Sequence, residues 1–152
     1  MPKTIERTIE IDRSIDEVWE VLMDFQSHPE WNPFIRHISG DPQVGEKLKV
    51  HIAPTGKRGM KFNPVVTAAT APSELAWLGK LGVRGLFDGA HRFSLKAVDK
   101  RHTLLTQSET FSGSLVGLFG GGLDATADGF DQMNRALKLR CENRGLSVET
   151  QL

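Results

Sequence analysis

The sequence predicts an α+β fold: a curved antiparallel sheet of about six to seven strands wrapped around a long C-terminal helix, with one or two short helices after the first strand. Three observations predict it. Period-two alternation, the spacing of half-buried strands, recurs in segments from Thr4 to Ser112. A capping box, Ser14-Ile15-Asp16-Glu17, interrupts these segments near the start and opens a helix. Leu123 to Arg144 then carries a sustained apolar stripe of helical period. Successive strands with a helix at each end give an α+β arrangement. A strongly twisted sheet curling around a rod leaves a gap between the two.

Each element has a local cause. Ile5, Arg7, Ile9 and Ile11 alternate with Thr4, Glu6, Thr8 and Glu10, so Thr4 to Asp12 is a strand with one buried face. The helix after the capping box carries Ile15, Val18, Trp19, Leu22 and Phe25 at helical spacing. His28-Pro29 is expected to end it, because the residue before proline avoids helical angles. Trp31-Asn32-Pro33-Phe34 is an aromatic-rich turn with room for a short second helix. Leu48, Val50 and Ile52 then alternate with Lys47, Lys49 and His51. After a turn at Pro54–Gly59, Met60 to Thr70 is extended, with Pro64 marking an edge strand or a bulge. Pro72-Ser73 turns into a short strand at Glu74–Leu78, and Gly79–Gly85 is a glycine-broken loop. Phe87–Val98 and His102–Ser112 form a hairpin across Asp99-Lys100-Arg101. Gly113–Gly122 reads as a flexible, apolar flap leading into the last helix. Pro54–Met60, Gly79–Gly85 and Gly113–Gly122 are expected to be the mobile segments around an opening.

In that last helix, at 100° per residue, Leu123, Ala127, Phe130, Asn134, Leu137 and Cys141 share one narrow face, with Met133 at its edge. Leu139 points outward. Acids in the early turns (Asp124, Asp128, Asp131) and bases near the end (Lys138, Arg140, Arg144) complement the helix dipole. Gly145 is expected as the residue that stops the helix. Asn134 is out of place on an apolar face. A buried amide needs partners, so a polar group should face it.

Composition narrows the function. The 152 residues fit a single domain spanning 1–152, and 19 basic residues balance 19 acidic ones. No broad basic surface is available, so no nucleic-acid partner is expected. Cys141 is the sole cysteine, which excludes an intrachain disulfide or a thiolate metal cluster. The start, Met1-Pro2-Lys3, turns polar at once. With no apolar run long enough to span a bilayer, no integral membrane segment and a cytoplasmic location are expected. Metal ligands at His-x-His or HExxH spacing are absent, as are GxGxxG and phosphate-loop patterns, so neither metal nor cofactor is expected. The oligomeric expectation is a monomer or homodimer. With no tyrosine in the chain, one common catalytic acid is missing.

The most chemical feature is the hairpin. Phe87, His91, Phe93, Leu95 and Ala97 share one strand face, and Leu105, Gln107, Glu109 and Phe111 share the facing one. If the hairpin closes with Val98 opposite His102, His91 lies directly across from Glu109. One step of slip leaves the two diagonal and still within reach. An imidazole and a carboxylate then meet in a mostly apolar space, where burial and pairing act in opposite directions on each. Such a pair can be an acid–base couple, a ligand anchor or a structural ion pair. Asn32 and Asn134 can bind a ligand carbonyl or hydroxyl, or equally the backbone.

Taken in order, Val18-Trp19-x-x-Leu22-x-Asp24-Phe25, Trp31-Asn32-Pro33-Phe34, Gly89-x-His91-x-Phe93, Glu109-x-Phe111-x-Gly113 and Met133-Asn134-x-x-Leu137-Lys138 resemble the START/SRPBCC superfamily. That superfamily has the helix-grip fold and includes polyketide cyclase/dehydrase-like and birch-pollen-allergen-like proteins. The resemblance covers residues 3–144; Ser27-His28 departs from it, standing where relatives often have bulkier or aromatic residues. It implies a hydrophobic cavity between sheet and final helix, holding a lipid, polyketide or aromatic compound. The expected lining is Trp31, Asn32, Phe34, Phe62, Trp77, His91, Phe93, Glu109, Leu123, Ala127, Phe130 and Asn134. Two alternatives accompany it: a polyketide cyclase/dehydrase-like enzyme using His91 and Glu109 as acid and base, and a chaperone- or respiratory-complex-associated interaction module. The last would carry an exposed apolar patch and a filled cavity.

Overall fold

A computed structural model describes residues 2–54, 59–80, 85, 88–114 and 120–151, with side chains placed through 123–143 in the last segment. Strand β1 (Lys3–Ile11) leads to helix α1 (Ile15–Met23), one 3-10 turn (Phe25–Ser27) and helix α2 (His28–Trp31). Seven strands follow: β2 (Ile35–Ser39), β3 (Lys49–Ile52), β4 (Met60–Phe62), β5 (Val65–Thr70), β6 (Glu74–Lys80), β7 (Asp88–Asp99) and β8 (His102–Ser112). The chain then enters helix α3 (Gly120–Gln151). Much of the three loops expected to flank an opening, residues 55–58, 81–84 and 115–119, lies outside the described residues, as does Phe87.

The capping box forms as its residues require: the Ser14 hydroxyl accepts from Glu17 N–H, and the Glu17 carboxylate reaches back to Ser14 N–H. The helix ends earlier than His28-Pro29. Asp24 leaves helical angles (φ −80°, ψ 76°), and Pro29 instead lies in the first turn of α2, where a missing N–H costs no helical hydrogen bond.

Five strands pair antiparallel in the order β1-β8-β7-β6-β5, and three in the order β2-β3-β4. The run expected to be continuous from Met60 to Thr70 breaks at Asn63-Pro64. Pairing survives the break: Val50↔Phe62 lies on one side and the Lys47↔Val65 bridge on the other, three residues along both chains. Leu48 N–H donates to the Pro64 carbonyl at 2.9 Å, so the proline serves as an acceptor where it has no N–H to give. Backbone bonds between residues 45–48 and 64–66 thus link the edge of the five-stranded sheet to the three-stranded one. Strand β2 escapes a period-two reading because a bulge between Ile35 and His37 puts its buried residues, Ile35 and Ile38, three apart.

Helix α3 lies against the inner face of the larger sheet. Phe130, Met133 and Leu137 have no exposed surface, and they pack with Phe93, Leu95 and Leu105 in one core cluster. Burial of side chains of this size contributes about 1.5–3 kcal/mol each. Gly129 admits Phe34 to the helix: a Cβ on Gly129 would stand 2.3 Å from Phe34 Cδ1. The helix continues through Gly145 to Gln151 instead of stopping there. A glycine costs a helix only about 1 kcal/mol relative to alanine, too little to end it alone. Leu139 is exposed and Cys141 buried, in keeping with their helical positions.

Candidate functional site

The inner face of the sheet is laid out in rows by strand pairing. Trp77, His91, Glu109 and Ile5 lie side by side across β6, β7, β8 and β1. The next row is Leu75, Phe93, Gln107 and Arg7, and the row on the other side includes Gly79, Gly89 and Phe111. At the hairpin tip Asp99, not Val98, opposes His102; Val98 is the extra residue of a bulge, and the pairing is regular from Ala97↔Thr103 inward. His91 consequently faces Glu109 directly.

His91 is 4% exposed and boxed by aromatic rings. It stacks on Trp77 (centroids 4.9 Å apart, planes at 23°), touches Phe93 at 4.7 Å and meets Phe130 edge-on at 5.1 Å. Its two nitrogens are both engaged. Nδ1 lies 3.2 Å from Glu109 Oε1, and Nε2 lies 3.0 Å from Gln107 Oε1. Gln107 Nε2 donates to Asn134 Oδ1 at 2.8 Å, and Asn134 Nδ2 donates to the Arg7 carbonyl at 3.4 Å. Gln107 is thus the polar group that Asn134 required. Arg7 itself holds the helix edge through Asp131 at 3.3 Å.

Gly89 completes the arrangement. A Cβ there would stand 2.6 Å from Glu109 Oε2, so the carboxylate occupies the space of the missing side chain. The Glu109 side chain keeps 16% of its surface exposed, against 4% for His91, making it the accessible end of the chain of hydrogen bonds. Gln107 and Gly89 were not among the expected site residues. Gln107 shared the inward parity of Glu109, and the Gly89-x-His91 spacing was the available signal for the glycine.

The other expected residues are distributed around this centre. Phe130, Ala127 and Leu123 follow one another along α3, the last half-buried. Phe62 is half-buried on β4, its ring 3.3 Å from where a Gly79 Cβ would be. Phe34 packs edge-on to Phe130 at 5.6 Å, reaching it through the gap at Gly129.

Asn32 belongs to a separate buried cluster. Its Oδ1 accepts from Phe34 N–H and Ile35 N–H, and its Nδ2 lies 3.1 Å from His28 Nδ1. His28 Nε2 donates to the Leu22 carbonyl at 2.8 Å, so Nδ1 is left to accept. Burial pushes the His28 pKa down, outweighing the Leu22 bond and the nearby Asp24 charge, in accord with that neutral tautomer. This amide ties α2 to β2. Beside it, Trp31 Nε1 is buried without a hydrogen-bond partner among the described residues.

Glu10, Asp12 and His102 bring potential metal-ligating atoms within 4.8 Å of one another. The group is largely exposed, and Asp12 and His102 are already engaged in ion pairs. His102 Nδ1 lies 2.7 Å from Asp99 Oδ1, and Lys138 Nζ lies 3.9 Å from Asp12 Oδ2. The Asp99 hydrogen bond raises the His102 pKa, and the Arg101 N–H and His102 bonds lower that of Asp99. Burial acts to raise Glu142, but bonds from Lys138 and Asp12 N–H outweigh it and the net shift is downward.

Similar proteins are found at the level of family and fold. Residues 2–142 match the family described as polyketide cyclase / dehydrase and lipid transport. A search of curated proteins returns no match. Among solved structures, the chain is similar to the ZhuI aromatase/cyclase from Streptomyces sp. R1128 (17% identity, 95% of this chain and 96% of that one, TM-score 0.74). A START superfamily protein from Mycobacterium smegmatis is 19% identical over 92% of this chain and 97% of that one, also at TM-score 0.74. Norcoclaurine synthase of Thalictrum flavum is 16% identical over 95% and 97%, at TM-score 0.67. These identities establish a shared fold, and the match over nearly the whole length establishes kinship: the chain belongs to the polyketide cyclase/dehydrase and lipid transport family, with the helix-grip fold of the START-like superfamily.

Proposed function

We propose that the protein binds a small, largely hydrophobic molecule between the inner face of the sheet and α3, with the His91–Glu109 pair as its polar end. One observation carries this reading. A continuous hydrogen-bonded chain, Glu109–His91–Gln107–Asn134, lies in aromatic surroundings and is accessible only at Glu109. Polar groups set among apolar and aromatic walls are what orient a ligand in such a site. The family's association with lipid transport and polyketide chemistry supports the same ligand class.

Titration with an apolar aromatic probe, followed by the emission of Trp77 beside His91, tests this. Saturable binding that is lost when Phe130 is replaced by a larger residue is expected. No binding of any apolar probe, together with no small molecule co-purifying by mass spectrometry, would remove the reading.

A second reading, acid–base catalysis of the cyclase/dehydrase kind, rests on the 3.2 Å approach of Nδ1 to Oε1, a distance across which a proton can be exchanged. Turnover abolished in Glu109→Gln with probe binding retained would favour it. The interaction-module alternative is less well supported. Among the described residues the exposed large apolar side chains are Val44, Met60, Val98 and Leu139, on four different segments. We place the site in a cytoplasmic protein of one domain, acting as monomer or homodimer and requiring no cofactor; no described helix is long and apolar enough to cross a membrane.

A further inference from the structure

The hydrogen-bonded chain has a direction, and the direction selects the ligand. It ends on the Arg7 carbonyl, which can only accept. Asn134 must therefore present its NH2 to Arg7 and its Oδ1 to Gln107. Gln107 in turn presents its NH2 to Asn134 and its Oε1 to His91. His91 Nε2 faces an acceptor and so carries a hydrogen. At the other ring nitrogen, Nδ1 and Glu109 Oε1 approach to 3.2 Å, which two lone-pair acceptors do only with a proton between them. That proton sits on either atom: imidazolium with carboxylate, or neutral imidazole with a carboxylic acid.

The consequence at the accessible end is the same in both states. Glu109 Oε2, which takes no hydrogen bond among the described residues, lies over Gly89 on the inner face and has no hydrogen of its own. It is an acceptor whichever way the proton lies. The pair is also neutral overall in both states, so it offers no net charge to attract a cation. Resting on the ligand-binding reading above, we infer that the site selects uncharged apolar molecules bearing a hydroxyl, and rejects those whose head group is a carboxylate. Glu109 Oε2 is the selecting atom, held by His91 and given room by Gly89. Gln107 and Asn134 are positioning residues, because they orient His91 without reaching the accessible end.

The test compares three probes of nearly equal size, naphthalene, 2-naphthol and 2-naphthoate, by quenching of tryptophan emission in the full-length protein. 2-Naphthol should bind about tenfold more tightly than naphthalene, the ratio for one added hydrogen bond to a carboxyl group, and 2-naphthoate more weakly than either. Glu109→Leu should keep naphthalene binding and erase the advantage of 2-naphthol. Glu109→Gln should retain it, because the polarity at Nε2 leaves Nδ1 to accept from the new NH2 and turns the amide oxygen to the ligand. Equal binding of naphthalene and 2-naphthol, or tighter binding of 2-naphthoate, would overturn the inference while leaving the ligand-binding reading intact. Failure of all three to bind would overturn the inference, and with no small molecule co-purifying it would count against the ligand-binding reading as well.

Discussion

Replacing Gly129 by alanine sets helix propensity against packing. In an isolated helix this change stabilises by about 1 kcal/mol. Here the new Cβ would stand 2.3 Å from Phe34 Cδ1, 2.6 Å from Cε1 and 3.1 Å from Cγ, whereas ordinary contact begins near 3.4 Å. The ring has to move by roughly an ångström, and it is 2% exposed with Phe130 edge-on behind it. Overpacking of this kind costs about 1–3 kcal/mol, and an immobile ring at so short a distance places the cost at the upper end. The net expectation is a loss of about 2 kcal/mol. For a chain of this length that lowers the melting temperature by about 4–8 °C, measurable by circular dichroism or calorimetry. Phe34→Leu in the Gly129→Ala background should recover part of the loss, with a coupling of about 1 kcal/mol in the double-mutant cycle. A rise in melting temperature for Gly129→Ala alone would refute the reasoning, because it would mean that Phe34 yields freely.

Gly89→Ala should behave differently, since its Cβ meets the end of a flexible carboxylate, 2.6 Å from Oε2, in place of a ring. Stability should change by less than about 1 kcal/mol, yet the His91 ring resonances should move as Glu109 is displaced; unchanged resonances would show that Glu109 has room elsewhere. Asn134→Ala leaves the Gln107 amide without its acceptor inside the core and should cost about 1–3 kcal/mol by chemical denaturation, so a neutral result would mean that the chain of bonds is not maintained. His28 should titrate below its ordinary value of 6.5 and His102 above it, because burial disfavours the charged form of the first and the Asp99 bond favours that of the second. The signs follow: the His28 contribution is complete above pH 6.5 and is lost as pH falls toward its folded pKa. That of His102 is complete below 6.5, while Asp99 stays ionised, and is lost as pH rises through its folded pKa. Proton resonances followed from pH 4 to 9 should show that order, and the reverse order would contradict both environments.

What the sequence determined by itself is what depends on parity and period. Alternation put His91 and Glu109 on the inward face, and helical spacing put Asn134 on the buried face of α3, because both periodicities are properties of the backbone. The hairpin connection left His91 either directly across from Glu109 or diagonal to it; the tip closes with Asp99 opposite His102, and the bulge at Val98 restores the register that sets the two face to face. The capping box was equally local, with its residues three apart along the chain. Tertiary structure decided the rest. Strand β2 is invisible to a period-two search, since a bulge breaks its alternation and only the neighbouring strand shows why. Asn32 looked as available to a ligand as Asn134, but its amide is taken up by His28 and the backbone of Phe34 and Ile35, partners that exist only once α2 is folded against β2. The roles of Gly89 and Gly129 depend on what occupies the space of an absent side chain, a carboxylate in one case and a ring in the other. The direction of the Glu109–His91–Gln107–Asn134 chain is likewise imposed from outside those four residues, by a carbonyl of β1 far away in sequence. A hydrogen-bonded chain takes its polarity from its terminus, and only the fold brings that terminus into place.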